Sequence, residues 1–230
     1  MNEAYHILRV LKRSVRSLTQ TKEERRHAMV GPTRLWKMKR DFQIQFLKAM
    51  NLKPDHYFLD IGCGTLRGGI PLIAYLQEGH YFGLDVRAET LDEGRKELRE
   101  VGLEEKKPIL LSSPDISQLV IERKFDYIWA FSVLIHMSDA ILNNTLYFVS
   151  EHLSEEGVFY ANANIGEDKE GNWQGFPVVW RTIEFYSYAC AKNSLVISDL
   201  GRLKDHGHIS NVESQDSQRM LRITKKIDKV

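Results

Sequence analysis

An apolar run at residues 57–61 breaks directly into Gly62-Cys63-Gly64, and a second apolar run at 81–86 carries Asp85 near its end, 21 residues after Gly64. A strand that stops at a glycine turn, with a helix before the next strand, opens a parallel sheet, because parallel neighbours need a crossover connection. The pattern continues. Further strands are predicted at 108–111, 125–130, 158–163, 195–200 and 219–224, with helices at 68–77, 89–101, 139–152 and 182–193. Strands alternating with helices at this spacing predict an α/β sheet covered on both faces.

The glycine turn and the acidic strand end together point to a ligand. In such sheets ligands bind beyond the carboxyl ends of the strands, where strand order reverses. Glycines there let the backbone approach a ligand more closely than a Cβ allows, and a carboxylate ending the second strand accepts both hydroxyls of a ribose. A nucleoside-bearing cofactor follows. A dinucleotide fingerprint fails, because the third glycine position counted from Gly62 is Arg67, and no Gly-Lys-Ser/Thr completes a phosphate loop.

What remains, Asp60-x-Gly62-x-Gly64 after an apolar strand and then Asp85, resembles the first motifs of the class I S-adenosylmethionine-dependent methyltransferases. Asp115-Ile116-Ser117-Gln118-Leu119 is similar to that family's block after strand three. Phe125-Asp126-Tyr127-Ile128, with 131–136 following, is similar to its strand-four block, and 153–159 to its turn into strand five. The resemblance covers residues 51–165 well and the last 60 weakly. It implies a Rossmann-like, seven-stranded, mostly parallel sheet with an antiparallel last strand. It also implies S-adenosylmethionine as cofactor. Asp60 and the backbone of Gly62, Cys63 and Gly64 would then hold the methionine part, with Arg67 in the same loop. Asp85 would hold the ribose, Val86 and Arg87 would flank the adenine, Asp115 with Ile116 would take its edge, and Phe131 would lie beside the sulfonium. Leu66 stands where a third glycine is common, so the loop path is open to a different course.

Methyl transfer needs positioning above all. A hydroxyl acceptor gains from a base, for which His136 is the candidate, with packing in its loop as the alternative. Strand four is followed by Ala130-Phe131-Ser132-Val133 rather than the motif of adenine amino methylation, and Cys63 and Cys190 are placed as inert thiols rather than nucleophiles. The same two cysteines cannot make a disulfide scaffold. Asp205, His206 and His208 fall in a long polar stretch, 201–218, and read as solvated; no metal is expected. Trp173, Phe176 and Trp180 either lid an acceptor pocket or pack in the core. The expected reaction is methyl transfer to a small molecule, a hydroxyl of a sugar, lipid or secondary metabolite. The alternatives are an RNA or protein methyltransferase and a non-catalytic cofactor-binding module.

Residues 1–41 hold 11 Lys/Arg against 4 Asp/Glu, although the whole chain is near neutral at +1. Residues 3–18 fit an amphipathic helix with Arg9, Lys12, Arg13 and Arg16 on one face. It either caps the cleft or touches an anionic membrane surface. A basic helical cap at 1–50 and a cofactor-binding domain at 51–230 are the expected divisions. Thr33 is a plausible cap for a second helix running to residue 50. The acidic body argues against a nucleic-acid partner. With no leader sequence or long apolar span, a cytoplasmic, at most membrane-peripheral, home is expected.

Overall fold

The structure, a computed structural model, describes residues 21–173 and 175–226. The expected helix at 3–18, and any membrane contact through it, lies outside the described residues.

Helix α1 (Lys22–Ala28) starts at a reciprocal cap: Glu24 N–H donates to Thr21 Oγ1 at 3.1 Å and Thr21 N–H donates to Glu24 Oε2 at 2.9 Å. Its Arg26, 4% exposed, faces Glu93, Glu97 and Glu100 at 3.0–3.7 Å, which pins α1 to a later helix. A single helical turn at Thr33–Leu35 leads into α2 (Trp36–Ala49); Thr33 lies inside that turn and supplies no side-chain cap.

The alternating part follows: β1 (Phe58–Ile61), α3 (Gly69–Tyr75), β2 (Tyr81–Asp85), α4 (Ala88–Glu100), β3 (Ile109–Ser112), β4 (Phe125–Ala130), α5 (Asp139–His152) and β5 (Leu153–Ala163). These five strands are mutually parallel. A hairpin of β6 (Lys169–Trp173) and β7 (Phe176–Trp180) comes next, then α6 (Ile183–Lys192), capped by Thr182, then β8 (Leu195–Arg202), α7 (Glu213–Asp216) and β9 (Arg219–Lys225). The main sheet runs β3-β2-β1-β4-β5-β9-β8, with β9 antiparallel to both neighbours. The seven-stranded sheet is therefore as expected, with strand order reversing between β1 and β4.

Both sheet faces are covered. Leu59, Ile61, Leu84, Ile128 and Phe159 pack beneath α5 and α6, through Leu142, Leu146, Tyr186 and Cys190. Alternate residues Phe58, Tyr127, Trp129 and Tyr160 pack beneath Phe42, Phe46 and Leu47 of α2. So α2 shares the core of the sheet instead of sitting on it as a separate layer.

The polar stretch 201–218 departs from expectation. It is a tight structure containing a helical turn, Leu203–His206, and α7, with Leu203, His208, Ser210, Asp216 and Gln218 all buried. His208 is not solvated: it is 1% exposed. The reason is local pairing. Asp216 Oδ1 accepts from His208 Nδ1 at 2.9 Å, from Ser210 N–H at 2.9 Å and from Ser210 Oγ–H at 2.7 Å, so these groups go inside paired, while His208 Nε2 is buried without a partner.

Candidate functional site

At the end of β1 the chain turns through Gly62 (φ +75°) and Gly64 (φ +58°). A Cβ on Gly62 would stand 2.4 Å from Val133 Cγ2, and one on Gly64 2.7 Å from Val30 Cγ1, so neither position admits a side chain without movement. Gly62 N–H and Cys63 N–H both donate to the Leu84 carbonyl, at 2.7 and 3.0 Å. Asp85 ties the two strand ends together: Oδ2 accepts from Gly64 N–H at 2.8 Å and Oδ1 from Arg87 N–H at 2.9 Å. Each carboxylate oxygen keeps room for one further donor.

Leu66 resolves the question of the loop path. It adopts the left-handed conformation (φ +60°) that a glycine would, and its side chain is fully buried. Burial of the leucine outweighs the strain, at about 1–2 kcal/mol for the backbone against about 2–5 for a core leucine.

The loop opens on a cavity of about 630 Å³, a size ordinary for a ligand site. Gly62, Gly64, Arg67 and Asp85 line it at the loop; Val86, Arg87, Asp115 and Ile116 continue the wall; Phe131 and His136 close the far side. Two expected residues are not brought to the wall, and this corrects their placement. Asp60 lies beneath the loop, 3% exposed, accepting from the Tyr81 hydroxyl at 2.7 Å, and burial pushes its carboxyl up to about 7. The Cys63 thiol points into the core, where burial holds it well above its ordinary value, and its amide is already spent on Leu84.

Arg67 is 9% exposed; it donates to the Val30 carbonyl at 2.9 Å, while its Nε is buried without a partner. Burial lowers it to about 10. Asp115 accepts from Ser117 Oγ–H at 2.7 Å and Ser117 N–H at 3.0 Å, and these bonds hold its carboxyl below the usual range.

Beyond Phe131 the wall changes character. His136 Nδ1 meets the Pro177 carbonyl at 2.6 Å. A carbonyl can only accept, so Nδ1 carries the proton and Nε2 keeps its lone pair. Burial lowers the His136 pKa, which favours that neutral form at pH 7. Trp173 stacks on the imidazole at 5.7 Å, and Phe176 lies 6.1 Å away; both line the cavity together with Trp180. The three aromatics thus wall the cavity from the hairpin.

Four residues escaped the sequence reading. Lys39 enters the cavity wall from α2, and Asn162, Asn164 and Gln218 form a buried amide chain beneath it. Ser132 N–H donates to Asn162 Oδ1 at 2.6 Å, Asn162 Nδ2 to Gln218 Oε1 at 2.6 Å, Gln218 Nε2 to Asn164 Oδ1 at 2.9 Å, and Asn164 Nδ2 to the Val179 carbonyl at 3.0 Å. A signal existed for three of them, though not for Gln218. Lys39 shares the helical stripe of Leu35, Phe42 and Phe46, where an apolar residue belongs, and Asn162 and Asn164 sit two apart at the end of an otherwise apolar strand.

Sheet, switch point and cleft define an α/β domain whose cavity opens beyond the carboxyl ends of the strands, with the glycine loop and Asp85 at one part of its wall and the aromatic hairpin at another. Residues 59–159 match the family model of a methyltransferase domain. No curated protein sequence matches the chain closely enough to count as a relative. Among solved structures, an S-adenosylmethionine-dependent methyltransferase from Clostridium acetobutylicum is 21% identical, with TM-score 0.61, covering 83% of this chain and 91% of that one. A magnesium protoporphyrin IX methyltransferase from Synechocystis, solved with S-adenosylmethionine, is 17% identical, with TM-score 0.64 and coverage of 93% and 96%. A glycopeptide N-methyltransferase solved with S-adenosylhomocysteine is 12% identical, with TM-score 0.62 and coverage of 80% and 89%. The chain shares the fold of these S-adenosylmethionine-dependent methyltransferases, and its residues 59–159 carry the methyltransferase-domain pattern. Among the described residues no group of three or more His, Cys, Asp and Glu side chains could hold a metal, and no helix is long and apolar enough to cross a membrane.

Proposed function

We propose that the protein methylates a hydroxyl on a small molecule, with His136 as the base. The observation that carries this is the imidazole itself: a neutral histidine, its Nδ1 fixed by Pro177, at the wall of a cavity that also holds the glycine loop and Asp85. The residues present fit S-adenosylmethionine. Asp85 has acceptor capacity left for the ribose hydroxyls, Asp115 and Ile116 suit the adenine edge, and the unpartnered Arg67 Nε beside the glycine loop suits the methionine carboxylate. When bound, that cofactor supplies a methyl carbon that passes to the acceptor oxygen as its bond to sulfur breaks, the electron pair staying on sulfur.

The chain's own contributions are positioning and one proton. Phe131 and the Ser132–Asn162 bond fix the end of β4 beside the reacting centre. Trp173, Phe176 and Trp180 hold an apolar acceptor body and exclude water. The acceptor hydroxyl delivers its proton to His136 Nε2 as the new C–O bond forms.

The support for a small acceptor is the hairpin wall, which sets Trp173, Phe176 and Trp180 against a cavity of about 630 Å³. Incubation with methyl-labelled S-adenosylmethionine and fractionated lysate tests the reading. Label is expected in the low-molecular-weight fraction; label in RNA or protein, or cofactor binding without any transfer, would replace it.

A further inference from the structure

Lys39 stands on the core-facing stripe of α2 with only 8% of its surface exposed. Its ammonium lies 5.9 Å from the centre of the Phe131 ring and faces the cavity. Among the described residues it has no hydrogen-bond or ion-pair partner. The charged groups around it do not supply one. Arg67 adds positive potential from the glycine loop, and Asp216, the carboxylate that attracts Lys39, has Oδ1 taken up by His208 and Ser210.

A buried ammonium without a counter-charge is costly, and proteins pair such groups or neutralise them. Here folding leaves the cation at the wall of the cavity, with Phe131 beside it and none of the wall's carboxylates, Asp85 or Asp115, in an ion pair with it. That is an anion receptor waiting for its ligand. Resting on the methyltransferase reading above, we propose that the acceptor is an acid: its carboxylate seats on Lys39 Nζ while its apolar body lies against Trp173, Phe176 and Trp180.

The glycine loop carries its own cation, Arg67, three residues after Gly64 and tied to Val30. Lys39 reaches in from α2, and the two cations flank one ring: the Lys39 ammonium is 5.9 Å and the Arg67 guanidinium 6.0 Å from the centre of Phe131. A single ammonium suits the single charge of a carboxylate; phosphate groups usually draw a fork of donors or a set of backbone amides. Burial and Arg67 lower Lys39 to about 7, so an anion bound there also restores its proton.

Calorimetric titration of the protein saturated with S-adenosylhomocysteine provides the test, with salicylate against salicylamide and indole-acetate against indole-acetamide as probes. The acids are expected to bind at least tenfold more tightly than the matching amides. Lys39→Met should erase that preference, Lys39→Arg should retain it, and neither should change S-adenosylhomocysteine affinity by more than about twofold. Equal binding of acid and amide by the wild-type protein, or binding of neither, overturns the proposal and does not depend on any variant folding. Weakened S-adenosylhomocysteine binding by Lys39→Met, with the acid preference intact, also overturns it and gives Lys39 to the cofactor. Wild-type protein that binds no S-adenosylhomocysteine would instead remove the reading on which the proposal rests.

Discussion

Asn162 and Gln218 meet side chain to side chain at 2.6 Å in the interior, 56 residues apart in sequence, one at the end of β5 and the other just before β9. The pair is the middle of the amide chain from Ser132 to Val179, and so it couples the tip of β4 to the aromatic hairpin. Asn162→Ala removes an acceptor from Ser132 N–H and strands the Gln218 carbonyl oxygen. Each buried orphan costs about 1–3 kcal/mol. Thermal unfolding should fall by several degrees, and limited proteolysis should show faster cutting between residues 169 and 180 than in the wild type.

Asp85→Ala removes the acceptor for Gly64 N–H and Arg87 N–H as well as the proposed ribose contacts. Hydrogen bonds to a charged group are worth about 1.5–3 kcal/mol each. S-Adenosylhomocysteine affinity should drop at least tenfold by calorimetry. Unchanged affinity would show that the end of β2 does not meet the ribose.

His136→Ala should reduce turnover by about 10²–10⁴ while S-adenosylhomocysteine affinity stays as it was. The pH profile carries a second check. The base works when neutral, and burial holds His136 below its usual value, with Arg87 and Lys39 acting in the same direction and the Pro177 carbonyl opposing. The acid limb of kcat should therefore lie below 6.5, the ordinary histidine value. A limb above that value would assign the titration to another group.

Leu66→Gly sets two effects against each other. Glycine relieves a left-handed backbone costing about 1–2 kcal/mol, but it empties a fully buried leucine site, at about 2–5 kcal/mol. The cavity term wins, so the variant should unfold at lower denaturant concentration than the wild type. A more stable variant would mean that the loop collapses freely into the space.

Asp60 gives a stability prediction with a definite sign. Its folded pKa is raised to about 7 from 3.8 by burial, so the folded state holds the proton more tightly than the unfolded state does. Its contribution is complete below the unfolded value and is lost as pH rises through about 7. Asp60→Asn keeps an acceptor for the Tyr81 hydroxyl and abolishes this loss. The variant should match the wild type near pH 4 and melt at a higher temperature by pH 8. A constant gap across that range would show that the Asp60 charge is not the cause.

The parts of the fold legible in the sequence were those where burial writes a repeating pattern. Strands β1, β2 and β4 are apolar but for one aspartate each, Asp60, Asp85 and Asp126, because both faces are covered, and α5 keeps its predicted bounds, Asp139–His152, behind a Ser138 cap. The hairpin was not legible as one. Lys169–Trp173 is exposed along nearly its whole length, and its partner strand is its main support, so no alternation marks it. The 201–218 stretch looked like solvent-facing chain because its residues are polar; their pairing with one another, as in Asp216 with His208 and Ser210, is a property of three dimensions. The part of the cavity wall proposed for the cofactor could be read from glycine and aspartate positions within one βαβ unit. The other half is assembled from α2, β5, the hairpin and the approach to β9, and no short segment carries its signature.

The hairpin leaves and rejoins the body at nearly one point, where Ile165 bridges Arg181 and Arg181 Nε donates to Asp139 Oδ1 at 2.9 Å. Between those residues the segment touches the body at three more points: Pro177 on His136, Val179 on Asn164 and Phe176 under Arg87. An engineer exchanging residues 166 to 180 for a new acceptor wall therefore has to keep an acceptor for the imidazole and one for the Asn164 amide in the graft.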